Sequence, residues 1–176
     1  MRDPFVIFDR DGTLIEHVHH LSNPDLVVFK DGLVEALSKL QDFGFKLGIV
    51  TNQSIISRGS ATVEMVNQVN SKILSFLKLN GVEIKFILIC PHMPEDECFC
   101  RKPKPILGHY AEEFLNVPLK SSYVVGDQES DLEFGLNLQC KAVQVQGGAA
   151  VSPLANHFSS TLVEVAEWII LDSQKD

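Results

Sequence analysis

Short apolar runs rich in β-branched residues alternate along this chain with longer segments whose apolar positions recur every three to four residues. The runs are nearly continuous in hydrophobicity, as suits parallel strands covered on both faces, and the periodic segments suit the amphipathic helices that cover them. Five runs qualify as strands: Phe5 to Phe8, Lys46 to Val50, Lys85 to Ile89, Ser122 to Val125 and Ala142 to Val145. Helical spacing links Leu33, Ala36, Leu37 and Leu40, and again Val63, Val66, Val69, Ile73, Leu74 and Leu77 ahead of a stop signal at Gly81. Tyr110 to Leu115, Ser130 to Leu138 and Leu162 to Ile170 complete the helical set. Phe5, Phe8, Phe43 and Phe45 are core candidates, and Cys140 is a small buried residue ahead of the last predicted strand. The alternation predicts an α/β fold of βαβ units around a parallel sheet.

No Pro, Gly and Ser linker, fixed repeat or low-complexity tract interrupts the pattern, so one domain is expected over 1–176. Two segments, Leu14 to Lys30 and Pro91 to Pro105, read as loops leaving strand ends, where parallel α/β sheets build their sites. Fifteen Lys and Arg against 23 Asp and Glu leave a formal charge of −8, which repels phosphate backbones and anionic lipid surfaces. Neither nucleic acid nor membrane is an expected partner. No uninterrupted apolar stretch reaches the roughly 18 residues of a membrane span, and Met1-Arg2-Asp3-Pro4 lacks a signal-peptide core, so a cytoplasmic monomer is expected.

Chemistry-bearing residues collect at the predicted strand ends. The first strand runs into Asp9-Arg10-Asp11-Gly12-Thr13, two carboxylates two residues apart, with Gly12 open to an unusual turn. One carboxylate can attack phosphorus while the other serves as general acid and then base; turn chemistry at Asp11-Gly12 is the plainer alternative. The second strand delivers Thr51, Asn52 and Gln53, able to bond phosphoryl oxygens or simply to cap a helix. Past the third, Cys90, His92, Cys98 and Cys100 follow the pattern C-x-H-x5-C-x-C. Three thiolates and an imidazole satisfy tetrahedral Zn²⁺ with no open position, so the ion would be structural; incidental free thiols are the alternative. Arg101, Lys102 and Lys104 follow at once, and such a fixed loop can aim one cation at a phosphate, although charge runs are usually solvated. The fourth strand ends in Gly126-Asp127 and leads to Asp131. Asp9 with Asp127 suffices as a protein contribution to Mg²⁺, and helix-start acids are the alternative.

In chain order, the acid pair, Thr51, Lys102 and the second acid pair resemble the four motifs of the haloacid dehalogenase (HAD) superfamily, over nearly the whole sequence. Within it, the strings around Thr51 to Ser54, Cys90 to His92, Cys98 to Pro105 and Gly126 to Asp131 are similar to the heptose bisphosphate and histidinol phosphate phosphatases. The resemblance implies a three-layer α/β/α, Rossmann-like core with a mainly parallel sheet, minimal or no cap and a zinc-binding loop at about 90–101. It implies a Mg²⁺-dependent phosphomonoesterase acting on a small phosphorylated metabolite. Asp9 would be nucleophile and Mg²⁺ ligand; Asp11 would be general acid and base and lend a carbonyl to the metal; Asp127 would be the other carboxylate ligand. Thr51 and Asn52 would hold phosphoryl oxygens, Lys102 would neutralise them, and Asp131 would orient Lys102 or a metal-bound water. Arg101 would reach the substrate body, and Arg58, in an Arg-Gly pair that matches the family's, a substrate phosphate.

Ile55 and Ile106 stand where heptose enzymes usually carry glycine, so the specificity loops are expected to run differently. His17, His19 and His20 are expected to be exposed near the substrate entrance. Two other classes compete. A phospho-acceptor receiver shares the residue types, but its acid pair and acceptor come in another order; a non-catalytic, zinc-stapled binding protein would lack a catalytic residue.

Overall fold

In a computed structural model, residues 4–147 and 149–175 are described; the sequence reading at Met1 to Asp3 lies outside them. Six strands form one parallel sheet: β1 (Phe5–Phe8), β2 (Lys46–Asn52), β3 (Ile84–Cys90), β4 (Tyr123–Gly126), β5 (Lys141–Val145) and β6 (His157–Ser159). Their order is β3-β2-β1-β4-β5-β6. The sixth strand was not expected. Its three residues are too few for a readable run, and it exists through its pairing with β5, Val143 to Val145 against His157 to Ser159.

Five helices cover the sheet: α1 (Leu33–Phe43), α2 (Val63–Leu79), α3 (Ile106–Leu115), α4 (Glu129–Asn137) and α5 (Leu162–Ser173). Strand side chains alternate between two cores. From β1, Val6 and Phe8 pack with residues of α1, α2 and α5, whereas Phe5 and Ile7 pack with residues of α3 and α4. This makes the three layers. Helix starts are fixed by side chains: Thr62 Oγ1 accepts from Met65 N–H and Thr161 Oγ1 from Glu164 N–H, each holding an otherwise unpaired first-turn donor. No described helix is long and apolar enough to cross a membrane.

Phe5, Phe8, Phe45 and Cys140 are buried as expected, but Phe43 is not: it is 45% exposed. Gly44, in the left-handed region at φ 110°, ends α1 and turns the chain into β2, so Phe45 takes the core place and Phe43 stacks on its ring.

Both predicted loops are ordered by specific contacts. Residues 14–30 fold back on themselves, with Glu16 N–H donating to Val28 O and Lys30 N–H to Leu14 O, while Leu14 and Ile15 are wholly buried. This hairpin-like flap brings Glu16, His17 and Lys30 to the same cavity as Asp9 at the end of β1 and Thr51 and Asn52 of β2. Residues 91–105 wind around the cysteine cluster.

Candidate active site

The strand order reverses at β1, whose neighbours β2 and β4 lead in opposite directions, and such a switch point opens a crevice at the carboxyl ends. A cleft of about 820 Å³ lies there. Asp9 and Asp11 enter it from β1, Thr51 and Asn52 from β2, Arg101 and Lys102 from the loop after β3, and Asp127 and Asp131 from β4 and α4.

Lys102 is the hub. Its side chain is 3% exposed, and Nζ donates to Asp9 Oδ1 at 2.6 Å, Asp131 Oδ1 at 2.7 Å and Val50 O at 2.7 Å. Burial opposes its charge, but attraction from Asp131 and then Asp9 outweighs this and holds the ammonium above the usual lysine range. Its backbone is clamped as well: Lys102 N–H donates to Asn52 Oδ1, and Asn52 Nδ2 donates to Lys102 O. Asp131 divides its carboxylate, with Oδ1 on Lys102 and Oδ2 accepting from Gln128 N–H at the start of α4.

Oxygens of Asp9, Asp127 and Asp131 lie within 4.8 Å of one another. Burial pushes the Asp9 carboxyl up to about 7, offset by Lys102 and reinforced by Asp131 and Asp11; burial also raises Asp127. Three buried carboxylates against one ammonium leave an excess of negative charge that a hard divalent cation offsets, and oxygen donors suit Mg²⁺. The residues present therefore fit that ion. Asp127 is placed by Gln128 Nε2 at 2.6 Å, and Thr13 Oγ1 lies 3.5 Å from its other oxygen. Gly12, at φ +85°, lets the chain pass beneath it; a Cβ there would stand 2.6 Å from Asp127 Oδ2.

Asp11 is turned to different partners. Arg10 Nε donates to its Oδ2 at 2.9 Å and the other arm to Oδ1 at 3.1 Å, while Gln53 Nε2 donates to Oδ2 at 2.7 Å and to Thr51 Oγ1 at 2.8 Å.

Cys90, His92, Cys98 and Cys100 converge beside the cleft. Five of the six separations between their donor atoms are 3.2 to 3.8 Å, and all four atoms lie within 4.8 Å of one another, near the edge of about 3.8 Å for a tetrahedron of thiolates around Zn²⁺. Burial pushes the Cys90 thiol up to about 12, so a cation is what would favour its thiolate. Lys104 Nζ donates to the carbonyls of Glu97 and Cys98, and Arg101 to that of His92, bracing the same loop.

The HAD-hydrolase-like family model matches residues 99–167. A Thermoplasma volcanium protein named "Probable D-glycero-D-manno-heptose-1,7-bisphosphate 7-phosphatase" is 41% identical over 136 residues, covering 76% of this chain and 92% of that one. This chain belongs to the HAD-like hydrolase family. This chain is a phosphoric monoester hydrolase, and HAD phosphatases use Mg²⁺. A Buchnera aphidicola protein named "Histidine biosynthesis bifunctional protein HisB" is 34% identical over 148 residues, 82% of this chain but 41% of its own length. Among solved structures, D,D-heptose 1,7-bisphosphate phosphatase from B. bronchiseptica, complexed with magnesium and phosphate, superposes with a TM-score of 0.87 at 26% identity, covering 96% of this chain and 99% of that one.

Not all predicted residues of this HAD site meet. Arg58 is exposed and lines an adjoining pocket of about 590 Å³ with Ile55, His17, His19 and His20, not the cleft around Asp9. The three histidines are exposed as expected, and His17 faces both cavities. Ile55 and Ile106 are not at positive φ; Ile55 is buried in a small apolar cluster and Ile106 opens α3. Neither side chain therefore strains its loop.

Sequence reasoning gave no role to Arg10 or Asn70, and offered Gln53 to phosphoryl oxygens or a helix cap; the structure buries all three, with Arg10 and Gln53 on Asp11 and Asn70 behind Arg10. A signal existed for one of them. Asn70 occupies the core-facing spacing Val66, Asn70, Ile73, Leu77, where an amide needs a polar partner. Glu16 and Lys30, ion-paired at 2.8 Å, also line the cleft, and only the folded flap brings them there.

Proposed function

We propose that this chain is a D-glycero-D-manno-heptose 1,7-bisphosphate 7-phosphatase, with the whole activity carried by one domain. The observation that carries the chemistry is the convergence of Asp9, Asp127 and Asp131 at the switch point, two of them, Asp9 and Asp131, paired with Lys102. The substrate follows the names of the Thermoplasma and B. bronchiseptica relatives, which match across nearly their whole lengths.

In this reading a carboxylate oxygen of Asp9 bonds to phosphorus as the P–O bond to the sugar breaks, and the leaving oxygen takes a proton from Asp11. Water then attacks the aspartyl phosphate, giving its proton to Asp11 and restoring the Asp9 carboxylate. Lys102, held by Asp131, faces the charge on the transferring group, and Thr51 and Asn52 bond its oxygens. Mg²⁺, held by Asp9, the Asp11 carbonyl and Asp127, would supply further charge neutralisation. Arg101, at the cleft wall, contacts the sugar, and Arg58 takes the distal phosphate. Cys90, His92, Cys98 and Cys100 hold structural Zn²⁺, which fixes the loop that delivers Lys102.

The HisB match supports a second reading, histidinol phosphate as substrate. Turnover of heptose 1,7-bisphosphate and histidinol phosphate by one preparation separates the two: a kcat/KM at least about tenfold higher on the heptose is expected, and the reverse overturns the assignment. Asp9→Asn abolishes release of inorganic phosphate from either; retained turnover would rule out the covalent route.

A further inference from the structure

Arg10 is wholly buried at the end of β1, yet it faces neither the cation-binding carboxylates nor the phosphate-binding residues. Its guanidinium is committed in three directions. Nε and one terminal nitrogen grip both oxygens of Asp11, and the other terminal nitrogen donates to Asn70 Oδ1 at 2.8 Å. Asn70 is 3% exposed in the middle of α2, and its Nδ2 is buried with no partner among the described residues. A buried amide donor left unpaired costs about 1–3 kcal/mol, so Asn70 is spent on its carbonyl oxygen alone, which holds Arg10. Gln53 closes the arrangement by joining Asp11 Oδ2 to Thr51 Oγ1.

We propose that Arg10, anchored by Asn70, is a positioning residue for the proton transfers of Asp11. The inference rests on the acid and base role of Asp11 given above. A carboxyl that must meet the leaving oxygen needs its plane fixed. The side chain of Asp11 sits at the cleft wall, 18% exposed, with free rotation about its own bonds unless something grips it. A planar two-pronged donor fixes both oxygens at once, which a single ammonium cannot do. The fork in turn is fixed by a rigid helix behind it. The orientation of the Asp11 carboxyl is thus set from α2, without Arg10 or Asn70 lining the cleft.

The test uses leaving groups. A sugar phosphate expels an alkoxide and needs the proton; p-nitrophenyl phosphate expels a stable phenolate and scarcely does. Because kcat/KM reads up to the first irreversible step, it reports phosphoryl transfer to Asp9. Asp11→Asn sets the scale, with a far larger loss on heptose 1,7-bisphosphate, or histidinol phosphate if that is turned over instead, than on p-nitrophenyl phosphate. Arg10→Gln and Arg10→Lys are expected to lose about 10- to 100-fold on the alkyl phosphate and stay within about threefold on p-nitrophenyl phosphate. Added to Asp11→Asn, neither should cost anything more. Asn70→Ala, which leaves the Arg10–Asp11 grip in place, should show the same selectivity at about three- to tenfold, and serves if Arg10 variants do not fold. Equal losses on both substrates, or undiminished losses in the Asp11→Asn background, overturn the positioning role of Arg10. Asp11→Asn without leaving-group dependence instead overturns the acid role of Asp11 itself, and this inference with it.

Discussion

Lys102 Nζ lies 2.6 Å from Asp9 Oδ1 although the two residues are 93 positions apart in the chain. The contact joins the end of β1 to the loop after β3 across the width of β2, and Asp131 fixes it from the far side at 2.7 Å. The ammonium therefore cannot leave without uncovering two buried carboxylates. Lys102→Met is expected to lower kcat by about 10²- to 10³-fold, equivalent to about 2.7–4 kcal/mol of transition-state charge stabilisation. Steady-state phosphate release measures it, and a loss confined to KM would contradict the assigned role.

Gly12→Ala places a methyl group 2.6 Å from Asp127 Oδ2, in a backbone conformation that L side chains rarely adopt. The left-handed conformation alone costs about 1–2 kcal/mol, and Asp127 has to move. The variant should melt lower than the parent and need more Mg²⁺ for half-maximal activity. An unchanged Mg²⁺ requirement would show that Asp127 does not serve the metal.

The cysteine cluster makes a stoichiometric prediction: purified protein carries about one Zn²⁺ per chain, and Cys98→Ser or Cys100→Ser carries markedly less. Because the ion would order the loop that ends in Lys102, a strong chelator should lower the melting temperature and the activity together, and Zn²⁺ should restore both. Elemental analysis with melting curves decides it; intact melting in zinc-free protein would assign the cluster to free thiols.

Acid sensitivity is expected away from the site, at Asp172 on α5. Although burial opposes its charge, the hydrogen bonds from Lys141, 2.7 Å away, and Tyr123, 2.9 Å away, hold this carboxyl below the usual range. A depressed folded-state value means the stabilisation is fully present above the unfolded carboxylate pKa of about 3.9 and is lost as pH falls through the lower folded value. Asp172→Asn should therefore cost about 1–3 kcal/mol at pH 7, and the gap to the parent should narrow as pH falls below the unfolded value of about 3.9. Urea midpoints above and below that value test the sign.

The linear order of residues sufficed for five of the strands, the five helices, the acid pairs and the clustering of Cys90, His92, Cys98 and Cys100. These depend on neighbours in the chain: strand and helix periodicities are local, and a C-x-H-x5-C-x-C loop closes over short distances. Folding alone decided that β6 pairs at all, that Phe43 yields its core place to Phe45, that Arg58 falls into the adjoining pocket, and that Asn70 reaches back from α2 to hold Arg10. Each of these turns on a contact or a cavity between segments remote in the chain, and no local pattern encodes which remote partner fills a buried donor's need. A strand end tells which residues arrive at the sheet's edge; only the packed helices and the flap determine which way their side chains then face.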